Sequence, residues 1–236
     1  MDYTANKKYF SAKPKVSAFV WMILIGLGLC FTGSGKMIAI GMGLIALGIL
    51  LLVVLLKRPS DAEIESQAKG LFNGIDSMAF KKLGIDPSEV SLAKPVTFWG
   101  YRFKFPSVLG DEANNRALWV TGGDGKDRSS EITMTGFYFG ENSVYCYERT
   151  ASLVSDALKE STEEYFYKDI VSVKTDSSDI PQVDANGREI PGKRIRNEEF
   201  ILTNMGGERR LCPVANAGEA EAAVMAFRAL LKQKKL

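Results

Sequence analysis

The chain has 236 residues, with 30 Lys and Arg against 28 Asp and Glu, no His and three Cys. A balance so close to neutral lacks the basic footprint of a nucleic-acid binder. Without His, neither a Ser-His-Asp nor a Cys-His nucleophile pair can form, nor can the commonest zinc ligand sets.

Residues 1–15 read as a short basic tail, carrying Lys7, Lys8, Lys13 and Lys15. Two apolar runs follow, Val16–Phe31 and Met37–Leu56, joined by Thr-Gly-Ser-Gly-Lys. At about 1.5 Å per helical residue the second run reaches roughly 30 Å, the thickness of a hydrocarbon core, and the first reaches about 24 Å. The Gly-rich joint is turn chemistry, so residues 16–56 are expected to form a transmembrane helical hairpin, which satisfies every backbone group in lipid. A cleaved signal peptide is the rival, but Thr-Gly-Ser-Gly matches a small-x-small cleavage site poorly. Lysines precede the first run, Lys57 and Arg58 follow the second, and only Lys36 lies between. Positive-inside counting therefore places both ends in the cytoplasm and the protein in the inner or plasma membrane, with two spans. Neither run contains Asp, Glu, Arg or His, which argues against a pump or channel. Ala39, Gly43 and Ala46, with Gly26 and Gly28 opposite, are expected to let the helices approach closely.

Residues 60–93 read as a helical connector. Ser60 and Glu63 have capping-box spacing, and Ile64, Ala68, Leu71, Ile75 and Met78 recur at helical period, so one helix is expected over 61–83. Gly84 stands where a C-cap glycine belongs, and Asp86-Pro87-Ser88-Glu89 restarts a short helix. The apolar stripe can dock on protein, lie in the membrane interface or pair with a copy of itself. Its few lysines favour docking on protein.

From residue 94 the period becomes alternating. Strands are expected over 96–105, 116–121, 131–139, 143–150, 164–175, 193–204 and 207–214. Residues 122–126, Gly-Gly-Asp-Gly-Lys, lack the Ser or Thr and the following helix of a P-loop and read as a hairpin turn. Residues 151–163 read as a connector with room for a helical turn, and Glu160, Glu163 and the adjoining Glu164 as cap and surface charge. Residues 176–192 read as an exposed, mobile loop. Ala217–Lys235 is an amphipathic helix with Ala220, Val224, Phe227, Leu230 and Leu231 on one face.

Seven short antiparallel strands and a closing helix resemble the pleckstrin-homology fold. Phe137–Tyr145, Tyr165–Val173 with its Asp-Ile-x-Ser-Val segment, and Phe200–Asn204 are similar to its bacterial branch. The fold class expected is therefore α+β: a two-helix transmembrane hairpin, a helical connector, and a PH-like antiparallel β-barrel or sandwich of about seven strands over 94–236, capped by the C-terminal helix. The resemblance implies a module without catalysis or cofactors, a membrane-associated scaffold that binds a protein partner or its own copies. Eukaryotic relatives bind phosphoinositides through a basic first hairpin. Here Arg102, Lys104 and Arg116 flank that loop, but Asp111 and Glu112 occupy it. The densest basic cluster is Arg188, Lys193, Arg194 and Arg196, the candidate contact for anionic lipid headgroups or a partner. A sensor of anionic headgroups is thus the alternative to the scaffold.

Overall fold

The structure is a computed structural model that describes residues 1–11, 16–90, 92–103, 107–109, 117–183 and 188–234. The chain divides into two compact units, Thr4–Ser60 and Asp61–Leu236, the latter joined by Met1–Tyr3. It is mixed α+β, with N-terminal helices, antiparallel sheets and a C-terminal helix.

The Thr4–Ser60 unit is helical. Where the sequence suggested only a basic tail, α1 (Tyr3–Phe10) forms, with Tyr9 and Phe10 buried and set edge to face. Lys13 and Lys15 lie outside the described residues. α2 (Ser17–Cys30) and α3 (Gly35–Leu56) pack antiparallel around a turn in which Gly33 has φ +73°. Gly35–Val54 of α3 is the one described stretch long and apolar enough to cross a membrane; α2, at 14 residues, is shorter. The close approach runs through Gly26, as expected, but on α3 through Gly41 and Gly48 rather than Ala39, Gly43 and Ala46. A Cβ on Gly26 would meet the Gly41 carbonyl at 2.7 Å, one on Gly41 the Gly26 carbonyl at 2.5 Å, and one on Gly48 the Ile23 side chain at 2.7 Å. Gly28 and Gly43 face open space and Ala39 is exposed. Gly41 and Gly48 are one heptad apart, so they share the seam facing α2 where the 39–43–46 stripe turns away from it.

In the Asp61–Leu236 unit, a four-stranded antiparallel sheet runs in the order β1-β4-β5-β6: β1 (Val96–Tyr101), β4 (Glu131–Phe139), β5 (Ser143–Ser152) and β6 (Leu158–Phe166). A small hairpin, β2 (Trp119–Thr121) with β3 (Asp127–Ser129), lies between β1 and β4 in sequence. A second sheet has the order β7-β8-β9: β7 (Ile170–Val183), β8 (Glu189–Asn204) and β9 (Arg209–Pro213). The strands thus number nine rather than about seven, and the two sheets do not close into a barrel among the described residues. Lys104, Asp111, Glu112 and Arg116, the basic and acidic residues of the first loop, lie outside them.

Two of three differences from the alternation pattern share one cause: backbone pairing sustains strands that lack an apolar face. The expected connector over 151–163 is the end of β5, a turn and the first six residues of β6, which pairs with β5 from Ala151↔Leu158 to Ser143↔Phe166. Its polarity is that of an edge strand, and its carboxylates take partners: Glu160 accepts from the Tyr147 hydroxyl and Glu164 from Ser143 Oγ. The expected strand over 164–175 is split. A 3-10 turn at Tyr167–Asp169 hands the chain from the first sheet to the second, held by Tyr167 Oη donating to the Gly140 carbonyl at 2.9 Å. The expected loop over 176–192 is instead mostly strand, the far end of a long β7/β8 ribbon paired from Ile170↔Asn204 to Val183↔Glu189. The turn residues Asn186 and Gly187 lie outside the described residues.

The core lies between the sheets. Phe98, Phe137, Phe139, Phe200 and Leu202 meet α6 (Ala217–Lys234), whose Phe227 ring is 4.9 Å from Phe139 and 5.4 Å from Phe137. The other face of the first sheet is covered too. The single connector helix expected over 61–83 is α4 (Asp61–Gly70) and α5 (Ile75–Leu83), broken at Gly74, which has φ +75° and begins the second helix at a new angle. Ile64, Ala68, Ile75 and Ala79 are buried, Phe80 packs on Tyr138, and Tyr138 Oη donates to Asp76 Oδ1 at 2.8 Å. The connector therefore docks on protein. Gly84 ends α5 at φ +70°, and the Asp86–Glu89 cap forms reciprocally: the Asp86 N–H donates to Glu89 Oε1 and the Ser88 N–H to Asp86 Oδ1.

Candidate functional site

The basic cluster does not converge. Arg188, Lys193, Arg194 and Arg196 are all exposed, Arg188 just before β8 and the others on it. Side chains alternate across a strand, so Arg194 and Arg196 share one face while Lys193 projects from the other. Arg194 and Arg196 are both engaged. Arg194 Nη2 donates to the Asp179 carbonyl at 3.1 Å, and Arg196 Nε donates to Glu198 Oε1 at 2.7 Å. That pair raises the Arg196 pKa and, with the Ser177 hydroxyl, lowers that of Glu198. Asp179 stands opposite Arg196 in the register.

The feature that sequence reading missed is a cleft of about 710 Å³ along the edge of β1. Its wall is an aromatic ladder. Trp99, Tyr101 and Phe103 occupy alternate positions, so they leave the sheet on one side while Phe98 enters the core on the other. Successive rings are 5.9 and 6.4 Å apart, and Trp119 of β2 extends the ladder edge to face at 5.8 Å from Phe103. Gly100 has no side chain for a reason of packing: a Cβ there would lie 2.7 Å from the Pro213 carbonyl carbon and the Val214 nitrogen.

The floor is ionic and internally paired. Arg128 of β3 is 1% exposed and bridges Asp124 at 2.8 and 2.7 Å, with Glu65 Oε2 at 3.5 Å. This two-pronged grip holds the Asp124 carboxyl well below the usual carboxylate range. The expected hairpin turn at 122–126 is present, closed by the Gly122 N–H donating to the Lys126 carbonyl at 2.9 Å, with Gly125 at φ +77°. Its role is to present Asp124 to Arg128. Lys69 pairs with Glu65 at 3.2 Å and stands 5.6 Å from the centre of the Trp99 ring. Burial pushes the Tyr101 hydroxyl up to about 12. On the far side lie Arg196, Asn197 and Glu198 of β8 and the segment Val214–Ala217 that leads into α6.

No group of His, Cys, Asp or Glu among the described residues could hold a metal ion. Cys146 and Cys212 are fully buried and burial pushes both thiols up, so neither is poised as a nucleophile. What the cleft can do is bind: it offers aromatic surface, cations already matched by carboxylates, and strand edges. The aromatic signal was visible in sequence as Trp99-x-Tyr101-x-Phe103, but the ionic floor adds Glu65 of α4 to the Asp124–Arg128 pair of the β2/β3 hairpin, a junction that only tertiary packing makes. Comparison with protein-family models, with curated proteins and with solved structures returns no match.

Proposed function

We propose that the chain is a membrane-anchored, non-catalytic adaptor that engages a protein partner. In this reading α2 and α3 are a two-span hairpin with both ends cytoplasmic, and Asp61–Leu236 is a pleckstrin-homology-like module. The observation that carries the reading is the cleft. Its aromatic wall suits a protein surface, and three of its four lining cations, Lys69, Arg128 and Arg196, each face a carboxylate, so it is poorly made for a phosphate or an anionic headgroup. The strand order supports the fold assignment: without the β2/β3 hairpin, seven antiparallel strands run as a group of four, then three, then a closing helix. The uncharged face of α3, with Met42, Ile49 and Val53 exposed, supports the anchor. Tethering raises the effective concentration for any second, weak contact at the membrane.

The topology is tested by single cysteines at exposed positions. With Ser34→Cys, an impermeant thiol reagent should label intact cells; with Ser178→Cys, it should label only after permeabilisation. The reverse pattern overturns the orientation. The adaptor role is tested by cross-linking in native membranes, where isolated monomers alone would count against it. The headgroup-sensor alternative requires flotation of residues 60–236 with anionic liposomes, weakened by salt and by loss of Lys193, Arg194 and Arg196.

A further inference from the structure

The end of β9 defines an open slot. The Val214 N–H donates to the Glu198 carbonyl at 2.9 Å, and the next residue, Ala215, donates to the Trp99 carbonyl at 2.7 Å. Residues 214 and 215 therefore join β8 to β1. Directly afterwards the chain leaves the line of β9 and enters α6 at Ala217. β8 continues for ten residues beyond its last pair with β9, Glu199↔Pro213, and along that stretch its pairs are with β7 alone among the described residues.

Parity identifies which groups face the slot. In an antiparallel ladder the main-chain groups of successive residues point alternately to the two sides. Glu198 turns its carbonyl toward β9, so Arg196 and Arg194 turn theirs the same way. On β1, Arg102 donates to the Glu131 carbonyl of β4 while Trp99 accepts from Ala215, so Tyr101 also turns away from β4 and toward the slot. Two strand edges thus face the same cleft, one from each sheet, beside the aromatic ladder.

We infer that this slot takes an extended, uncharged peptide segment of a partner protein, added as a strand in the line that β9 vacates. The inference rests on the adaptor reading and names its ligand class. Main-chain hydrogen bonds to Arg194, Arg196 and Tyr101 supply affinity, and alternate side chains of the segment lie on Trp99, Tyr101 and Phe103. The charge balance selects an uncharged segment. Glu65, Asp127, Glu198 and Glu219 in the lining match Lys69, Lys126, Arg128 and Arg196 in number, and Arg128 is further gripped by Asp124, so the cleft holds no surplus of cations to draw an acidic segment and its own cations oppose a basic one.

The test uses the full-length chain in phosphatidylcholine nanodiscs and a phage-displayed library of random dodecapeptides. Panning should enrich peptides with apolar residues at alternate positions and few charges. For a synthetic enriched peptide, Arg196→Pro removes an N–H that faces the slot and should weaken binding tenfold or more. Thr175→Pro, on the outer edge of β7, should leave binding within twofold. Should Arg196→Pro not fold, N-methylation of alternate peptide amides reads the same bonds from the ligand side and should weaken binding equally. Failure to enrich any peptide overturns the proposal. So does equal binding to Arg196→Pro, indifference to N-methylation, or binding displaced by phosphatidylserine vesicles. If these tests fail while membrane cross-linking still returns a partner, the slot is wrong and the adaptor reading stands.

Discussion

Among the described residues the second sheet has two long edges with no strand paired to them, and they are treated differently. The outer edge of β7 is blunted along its length. Arg228 of α6 donates twice to the Val173 carbonyl, at 3.3 and 3.0 Å; Arg194 occupies the Asp179 carbonyl; and Pro181 has no N–H to offer. Val173, Asp179 and Pro181 are all odd-numbered, the parity that faces away from β8. These are the devices by which proteins keep an edge from pairing with chance neighbours. The slot-facing edge of β8 has no such main-chain cover at Arg194 or Arg196 among the described residues. It is protected by place instead, recessed beside β1 and the aromatic ladder. A blunted edge and a recessed open one in the same sheet mark the second as the edge kept for use.

The comparison can be broken most completely at the residue on which both edges depend. Phe200 is fully buried in the second half of β8, stacked 4.7 Å from Phe98. Phe200→Ala should cost about 3–5 kcal/mol, and urea denaturation should show one cooperative transition at a lower midpoint. The next effect separates the two sides of β8. Ile195 is buried, pairs with Ile180 and turns its N–H toward β7. Ile195→Pro should cost about 3 kcal/mol, from a lost ladder bond and lost packing. Arg196→Pro, one residue along, should cost under about 1 kcal/mol, the range of an exposed ion pair. Equal costs would mean that the parity assigned to β8 is wrong.

A smaller effect tests the blunting. Arg228→Ala frees the Val173 carbonyl and should cost about 1 kcal/mol. Light scattering should then show concentration-dependent association that the parent chain lacks, as expected of an edge left uncovered. The smallest effect concerns pH. Burial pushes Tyr101 up to about 12, whereas an unfolded tyrosine ionises near about 10. The fold keeps this proton where the unfolded chain releases it, so the site's contribution to stability is complete below pH ~10 and is lost as pH rises through about 12. In an ultraviolet titration, Tyr101→Phe should remove one late-ionising tyrosine and reduce the alkaline loss of stability.

Much of this was written locally. The two apolar runs, Gly84 as a helix end, the Asp86–Glu89 cap, the paired strands β4 and β5, the glycine-rich hairpin turn and the terminal helix with Phe227 inward all follow from periodicity and turn chemistry. These signals lie within a few residues of the structure they specify. What sequence periodicity could not show was set by partners distant in the chain. β6 and the β7/β8 ribbon are strands because a neighbouring backbone pairs with them, although their side chains read as connector and loop. Gly41 and Gly48, rather than Gly43, form the helix seam because the position of α2 selects the face. The grouping of Arg188, Lys193, Arg194 and Arg196 dissolved because a strand sends successive side chains to opposite faces. The cleft joins Glu65, Trp99, Arg128 and Arg196, and no local pattern links them. Local propensity acts through neighbours three or four residues away. The slot exists because β9 stops at Pro213 while β8 runs on, a difference in strand length that only the packed sheets decide.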